Sequence, residues 1–120
     1  MAIYLRDDDK CVLLALSDEG ECVGLLEAAL RYDYVEGCST QPVCYLEGLF
    51  VSPQFRGKQI ARKLVQACER WGRERGCVEM ASDAELANQS SIEMHQKLGF
   101  VEANRNVHFV RRLRENPLNV

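Results

Sequence analysis

No stretch of this chain is apolar for long enough to span a membrane, and its start does not resemble a signal peptide. A cytosolic protein with no membrane partner is therefore expected. There is no internal repeat, low-complexity tract or linker. Histidine is scarce, with only His95 and His108, and no two cysteines have C-x-x-C spacing, so no zinc pattern forms and no metal is expected. An excess of basic charge is also missing. The formal net charge is −3 and the pI about 5.4, which argues against a nucleic-acid partner. At 120 residues there is little room for a second lobe, so 1–120 reads as a single domain.

Cysteine, by contrast, is plentiful. Six are present, and Cys11, Cys44, Cys68 and Cys77 sit inside apolar runs, as buried free thiols would. Charge is unevenly placed. Arg56, Lys58, Arg62 and Lys63 lie together, while Asp33, Glu36, Glu47, Asp83 and Glu85 lie elsewhere. One protein with these two groupings can serve an anionic ligand and a cationic one.

The order of elements reads strand, strand, strand, helix, strand, helix, strand. Met1–Asp9 reads as the tail of a helix ending in the charged run Arg6–Lys10. Cys11–Leu16 and Cys22–Leu30 form a hairpin around Gly20. Arg31–Pro42 is a loop. Val43–Val51 is nearly all apolar and reads as a strand covered on both faces, ended by Pro53. Ile60, Leu64, Ala67, Cys68 and Trp71 share one helical face, and Gly76 is placed to end that helix. Cys77–Ala81 is the next strand. Asn88 caps a second helix that Gly99 ends, Val107–Leu113 is a last strand, and the tail through Pro117 is loose.

The helix start near Lys58 contains a contradiction. The positive end of a helix dipole disfavours cations, yet Arg56, Lys58, Arg62 and Lys63 crowd it. A bound anion would resolve this and would also occupy the outward-pointing backbone N–H groups. A solvated basic face is the plainer alternative. Gly57 permits a tight turn or close backbone approach.

Arg56-Gly-Lys-Gln-Ile-Ala61 resembles the pyrophosphate-binding turn of the GNAT superfamily, Q/R-x-x-G-x-G/A, with Gln59 in place of the central glycine. That substitution implies backbone still able to take a helical conformation. Leu49–Arg56 precedes the turn as the family's strand does. Asn88 followed by His95-Gln-Lys-Leu-Gly-Phe100 is similar to the family's N-x-x-S/A-x-x-x-Y/H-x-x-x-G-F helix. Arg31–Gly37, Tyr45-Leu-Glu-Gly48, Trp71, Met80–Asp83 and Gly99-Phe100 together resemble aminoglycoside 6′-N-acetyltransferases, from about Cys11 to Leu113. The implied fold is α/β (α+β): a mixed, mostly antiparallel sheet with a splayed central strand pair flanked by helices. The family's pattern has a strand and two helices ahead of Cys11. Only the end of the second helix is expected here, so the chain is N-terminally short, and a neighbouring subunit in a homodimer could complete the sheet.

The resemblance also assigns roles. Glu47 and Asp83 would hold and deprotonate the acceptor amine. From sequence alone, Glu47 is a lone carboxylate in a buried strand, where desolvation would raise its pKa toward that of a general base; an end-of-strand glutamate is the alternative. Asp83, just past a strand, could instead cap a turn. Tyr34, Asp33 and Glu36 would line the acceptor site. The backbone of Leu49, Phe50 and Val51 would meet the thioester and pantetheine, and the amides of Arg56, Gly57, Lys58, Gln59, Ile60, Ala61 and Arg62 would hold the pyrophosphate of acetyl-CoA. Asn88 would bind the cofactor. His95 would protonate the leaving thiolate, unless it is simply a packed helix histidine. His108 and Trp71 read as structural. The implied reaction is direct acetyl transfer from acetyl-CoA to a primary amine, with CoA as product. A polyamine or peptide acceptor, or a non-catalytic acyl-CoA-binding remnant, are the rival readings.

Overall fold

The computed structural model describes residues 2–6 and 8–114. Five strands form one sheet in sequential order: β1 (Ala2–Arg6), β2 (Lys10–Leu16), β3 (Cys22–Arg31), β4 (Val43–Val51) and β5 (Met80–Ser82). Neighbours are antiparallel except β4 and β5, which are parallel. A 3-10 turn at Pro53–Phe55 leads to α1 (Ile60–Glu74), and α2 (Gln89–Lys97) follows β5.

Alternation in β2 buries Cys11, Leu13 and Ala15 and leaves their neighbours partly exposed. These residues join Leu26, Ala28, Cys44 and Leu46 against the apolar stripe of α1, where Leu64, Val65, Cys68 and Trp71 are buried. Both helices end alike. Gly76 and Gly99 take positive φ, the following amides of Cys77 and Phe100 bond back to Gly72 and His95, and the glycine amides bond to Arg73 and Gln96. This is the two-bond glycine cap.

Four expectations are corrected. The amino-terminal segment is not the end of a helix: Ala2–Arg6 is a strand paired along β2 from Ala2↔Ala15 to Arg6↔Cys11. The edge of β2 supplies the backbone partners that this segment needs. Second, Val43–Val51 is covered on both faces only through Leu46, and Glu47 and Phe50 are exposed. Third, Val107–Leu113 forms no strand. Residues 101–114 carry no helix or strand, and Phe109, Val110 and Leu113 are each at least 90% exposed. A strand needs an edge to pair with, and among the described residues the segment meets none. Fourth, the strand expected at Cys77–Ala81 is β5, Met80–Ser82, because Cys77 is used up in the cap of α1. Pro117 lies outside the described residues.

Candidate active site

Pairing between β4 and β5 stops at Leu46↔Ser82, while β4 runs on to Val51 against β3. The two strands therefore part, as expected. A cleft of about 200 Å³ opens between them, lined by Glu47, Leu49, Ser82, Asp83, Asn88 and His95 among others. Phe50 and Val51 do not line it; the Val51 carbonyl instead accepts from Arg56 Nε at 2.9 Å.

Glu47 owes its position to a β-bulge. The register passes from Ala28↔Leu46 to Glu27↔Gly48, so Glu47 is the extra residue of β4. A bulge re-aims a side chain and flips the strand's faces. Cys44 and Leu46 pack on the α1 side before it, and Leu49 does so after it. Glu47 is consequently neither buried nor alone, contrary to the sequence expectation. Its side chain is 38% exposed and paired with Arg31 at 3.0 Å, so burial does not supply the desolvation expected of it.

Asp83 lies one residue beyond β5 and accepts from the Tyr45 hydroxyl at 2.5 Å. Burial first, then the bond to Asp83, pushes the Tyr45 hydroxyl up to about 12. At neutral pH it is a proton donor that orients Asp83, not a base.

His95 points into the cleft wall with both ring nitrogens engaged. Nδ1 lies 2.7 Å from the Ser91 carbonyl, which can only accept, so Nδ1 carries a proton. Nε2 lies 2.8 Å from Ser82 Oγ, which is 3.2 Å from the Leu46 carbonyl. The ring also meets Phe100 edge-on at 5.3 Å. Asn88 caps α2 through its side-chain oxygen, which accepts from the Ser91 amide at 3.1 Å. What it offers the cleft is therefore its NH₂ group.

The start of α1 has no side-chain cap and no acidic residue in its first turn. The first helical bond is Lys63 N–H to the Gln59 carbonyl at 3.0 Å, so the amides of Ile60, Ala61 and Arg62 precede the ladder. The surrounding cations are partly committed. Arg56 is held by Val51, and Lys58 lies 5.4 Å from the centroid of the Phe55 ring. Arg62 reaches across to the Lys97 carbonyl at the end of α2, 3.1 Å away. Gly57 has φ +81°. Gln59 is left-handed at φ 67° and ψ 15°, not helical as its substitution for glycine implied. The turn demands that conformation of whatever residue stands there, at a cost of about 1–2 kcal/mol for a side chain. Gln59→Gly should therefore raise stability by about 1 kcal/mol, read as a higher midpoint in chemical denaturation.

A second, larger cavity of about 1710 Å³ lies on the open side of β5, between α1 and residues 99–108. Tyr34 and Glu36 line it, as do Asp83 and His95; Asp33 lines neither space and is exposed. The Tyr34 hydroxyl and Asn104 Nδ2 both donate to Glu36. Those bonds hold the Glu36 carboxyl below its usual range, and the bond to Glu36 raises Tyr34 above its own. The acceptor residues expected together thus divide between the cleft and this rim.

All six cysteines are free thiols, and Cys11, Cys44, Cys68 and Cys77 are buried. Cys44 lies 3.7 Å from Cys68. The neighbouring thiol holds Cys44 below the usual value and pushes Cys68 above it. Cys44 packs into the core beneath α1, away from the Tyr45 side of β4, and does not line the cleft. Among the described residues there is no group of three or more His, Cys, Asp or Glu that could hold a metal. No helix among them is long and apolar enough to cross a membrane.

Sequence reasoning gave no role to Arg31, Tyr45 or Ser82. Tyr45 could have been found, since it stands two residues before Glu47 in one strand. Arg31 and Ser82 depend on register across strands and left no local signal.

Residues 1–100 match the family model described as Acetyltransferase (GNAT) family. Aminoglycoside N(6′)-acetyltransferase type 1 from Acinetobacter genomosp. 13 is 47% identical over 109 residues, which is 91% of this chain and 75% of that protein. The protein of the same name from Salmonella typhimurium strain LT2 is 43% identical over 108 residues, 90% of this chain and 74% of its own length. Among solved structures, AAC(6′)-Iy in complex with the bisubstrate analogue CoA-S-monomethyl-acetylneamine superposes with a TM-score of 0.84 at 42% identity, covering 89% of this chain and 72% of that one. AAC(6′)-Ih from Acinetobacter baumannii gives 0.85 at 46%, covering 89% and 73%. The parted strands, the bulged glutamate and the uncapped helix start thus lie in a chain that belongs to the GNAT acetyltransferase family and is closely related to the aminoglycoside 6′-N-acetyltransferases.

Proposed function

We propose that this chain, acting as one acetyltransferase domain, transfers the acetyl group of acetyl-CoA to the 6′-amine of an aminoglycoside. The observation that carries this is the convergence of Glu47 and Asp83 on the gap between β4 and β5. The relatives' names and the bisubstrate complex of AAC(6′)-Iy support the same acceptor and cofactor.

Bound acetyl-CoA supplies an activated acetyl thioester. The amides from Arg56 to Arg62, uncapped and without a nearby carboxylate, hold its pyrophosphate. The backbone of Leu49, which lines the cleft, serves the thioester carbonyl, and that of Phe50 and Val51, beyond the cleft, serves the pantetheine. An N–H aimed at the developing oxyanion contributes about 3 kcal/mol in comparable sites. The Asn88 NH₂ group binds the cofactor beside them. Glu47 accepts the proton of the attacking amine, directly or through water. Asp83, fixed by Tyr45, holds the ammonium form before attack. The Ser82 hydroxyl gives its proton to the leaving thiolate and takes one in return from Nε2 of His95, 2.8 Å away, a step that requires the ring to be protonated on both nitrogens. Tyr34 lines the acceptor side, and Asp33 and Glu36 add negative potential for a polycation. The buried, core-facing Cys44 supports direct transfer over an acyl-cysteine step.

The working form is a homodimer in the cytoplasm. The exposed Phe109, Val110 and Leu113 support a dimer, as does a radius of gyration of 17.6 Å against about 14 Å for a compact chain of this length. Free thiols and a CoA substrate suit the cytoplasm, and the net negative charge speaks against nucleic acid. Sedimentation equilibrium should give a dimer for the native chain and a monomer for Phe109→Glu. A native monomer would remove the dimer from this reading.

Calorimetric titration with acetyl-CoA and then kanamycin in the same cell tests the function. Saturable binding of both is expected. Binding of acetyl-CoA with no response to kanamycin or tobramycin, but a response to spermidine or a peptide amine, would reassign the acceptor.

A further inference from the structure

The two carboxylates of the cleft are held differently. Asp83 accepts from a neutral hydroxyl. Glu47 faces a full positive charge, with Arg31 Nη2 lying 3.1 Å from Oε1 and 3.0 Å from Oε2. One nitrogen spans both oxygens, so the second parallel bond of a guanidinium–carboxylate fork is missing. Both side chains are well exposed, at 44% and 38%, and an exposed pair of this kind is weak in water. The guanidinium also has a second partner in the same position. Its Cζ lies 3.6 Å from the centroid of the Tyr45 ring, a cation–π contact that needs no carboxylate. Arg31 is the last residue of β3, opposite Val43, and its backbone is fixed by the sheet while its head makes both contacts at once.

We propose that Arg31 is an internal stand-in for the acceptor's cation: it occupies Glu47 while the acceptor site is empty, and the incoming ammonium takes the carboxylate from it, leaving the guanidinium held by the face of Tyr45 alone. This rests on the reading of Glu47 as partner of the acceptor amine. Arg31 touches Glu47 and not the reacting atoms, so it is a positioning and specificity residue. It keeps the acidic cleft from holding stray monocations, because any occupant must outcompete a cation already tethered beside the carboxylate. A polycation that also engages Asp83 does so; a neutral molecule does not.

Steady-state kinetics of Arg31→Met and Arg31→Lys with kanamycin and acetyl-CoA test this. Methionine keeps an apolar stem against Tyr45 and removes the charge. Its KM for kanamycin should fall about two- to fivefold, the worth of an exposed ion pair. A small monocationic amine such as ethylamine should inhibit it more strongly than it inhibits the native enzyme. Its KM for acetyl-CoA should not change. Lysine should restore the native values. Arg31→Gln carries the same expectation and replaces Arg31→Met if acetyl-CoA titration shows the latter to be misfolded. An unchanged or raised KM for kanamycin, with acetyl-CoA binding intact, overturns the proposal. A native enzyme that acetylates no amine overturns the proposed function first, and this inference with it.

Discussion

Glu47→Gln lowers kcat for kanamycin by about 10²–10⁴-fold, the usual contribution of a positioned general base, and leaves acetyl-CoA binding intact. The glutamine is nearly isosteric, and its side-chain oxygen still accepts from Arg31, so the bulge and the Arg31 contact at 3.0 Å have no reason to change. What disappears is the capacity to take a proton. The pantetheine and pyrophosphate contacts are backbone contacts some residues away, which is why the cofactor KM stays put. Asp83→Asn has a smaller effect on kcat and a larger one on acceptor KM, since asparagine still accepts from Tyr45 but no longer attracts an ammonium. The double variant should fall short of the product of the two, because both carboxylates act on one amine. Equal rates for Glu47→Gln and the native enzyme would move the base elsewhere.

The second large effect concerns stability. Trp71→Ala destabilises the fold by about 3–5 kcal/mol, in line with other aromatic truncations in cores. Trp71 is 1% exposed and completes the stripe that α1 lays on the sheet. At roughly 4 °C per kcal/mol, the melting midpoint falls by about 12–20 °C. Trp71→Phe costs much less than its loss of volume suggests. The indole N–H of Trp71 is buried without a hydrogen-bond partner, and a group in that state is a standing penalty of about 1–3 kcal/mol that phenylalanine does not carry. Denaturant unfolding of the two variants side by side checks the contrast. Similar losses would mean that the N–H is satisfied in solution.

Much of the fold was legible because its signals are local. The stripe Ile60–Trp71 predicts α1, the Asn88 and Gly99 punctuation predicts α2, and Val43–Val51 matches β4 to the residue. The misses share a physical cause, which is that strands depend on partners. Ala2–Arg6 is a strand because β2 offers an edge, and Val107–Leu113 is not one because no edge among the described residues receives it. A segment's own residues do not contain that information.

The candidate site divides the same way. Glu47, Asp83, Asn88 and His95 were singled out by the family resemblance, and all four line one cleft. The environment of Glu47 was not readable. An apolar run implies burial, but the one-residue bulge opposite Glu27 and Ala28 turns the carboxylate outward to Arg31. Gln59 was readable as a departure from glycine, while its left-handed backbone was not, since the turn imposes that conformation against the residue's own preference. His95 was readable as a proton carrier, but its engagement by Ser82 and Ser91 depends on how α2 sits on β5.

The central claim is that this cleft acetylates a primary amine at the 6′ position of an aminoglycoside. The direct measurement is to incubate the native protein with acetyl-CoA and, separately, kanamycin and an aminoglycoside bearing a hydroxyl at that position, and to locate any acetyl group by mass spectrometry and NMR. The predicted result is one acetyl group on the 6′-amine of kanamycin and no N-acetylation of the hydroxyl compound. Acetylation of both at another nitrogen, or of neither while spermidine or a peptide amine is acetylated, would contradict it.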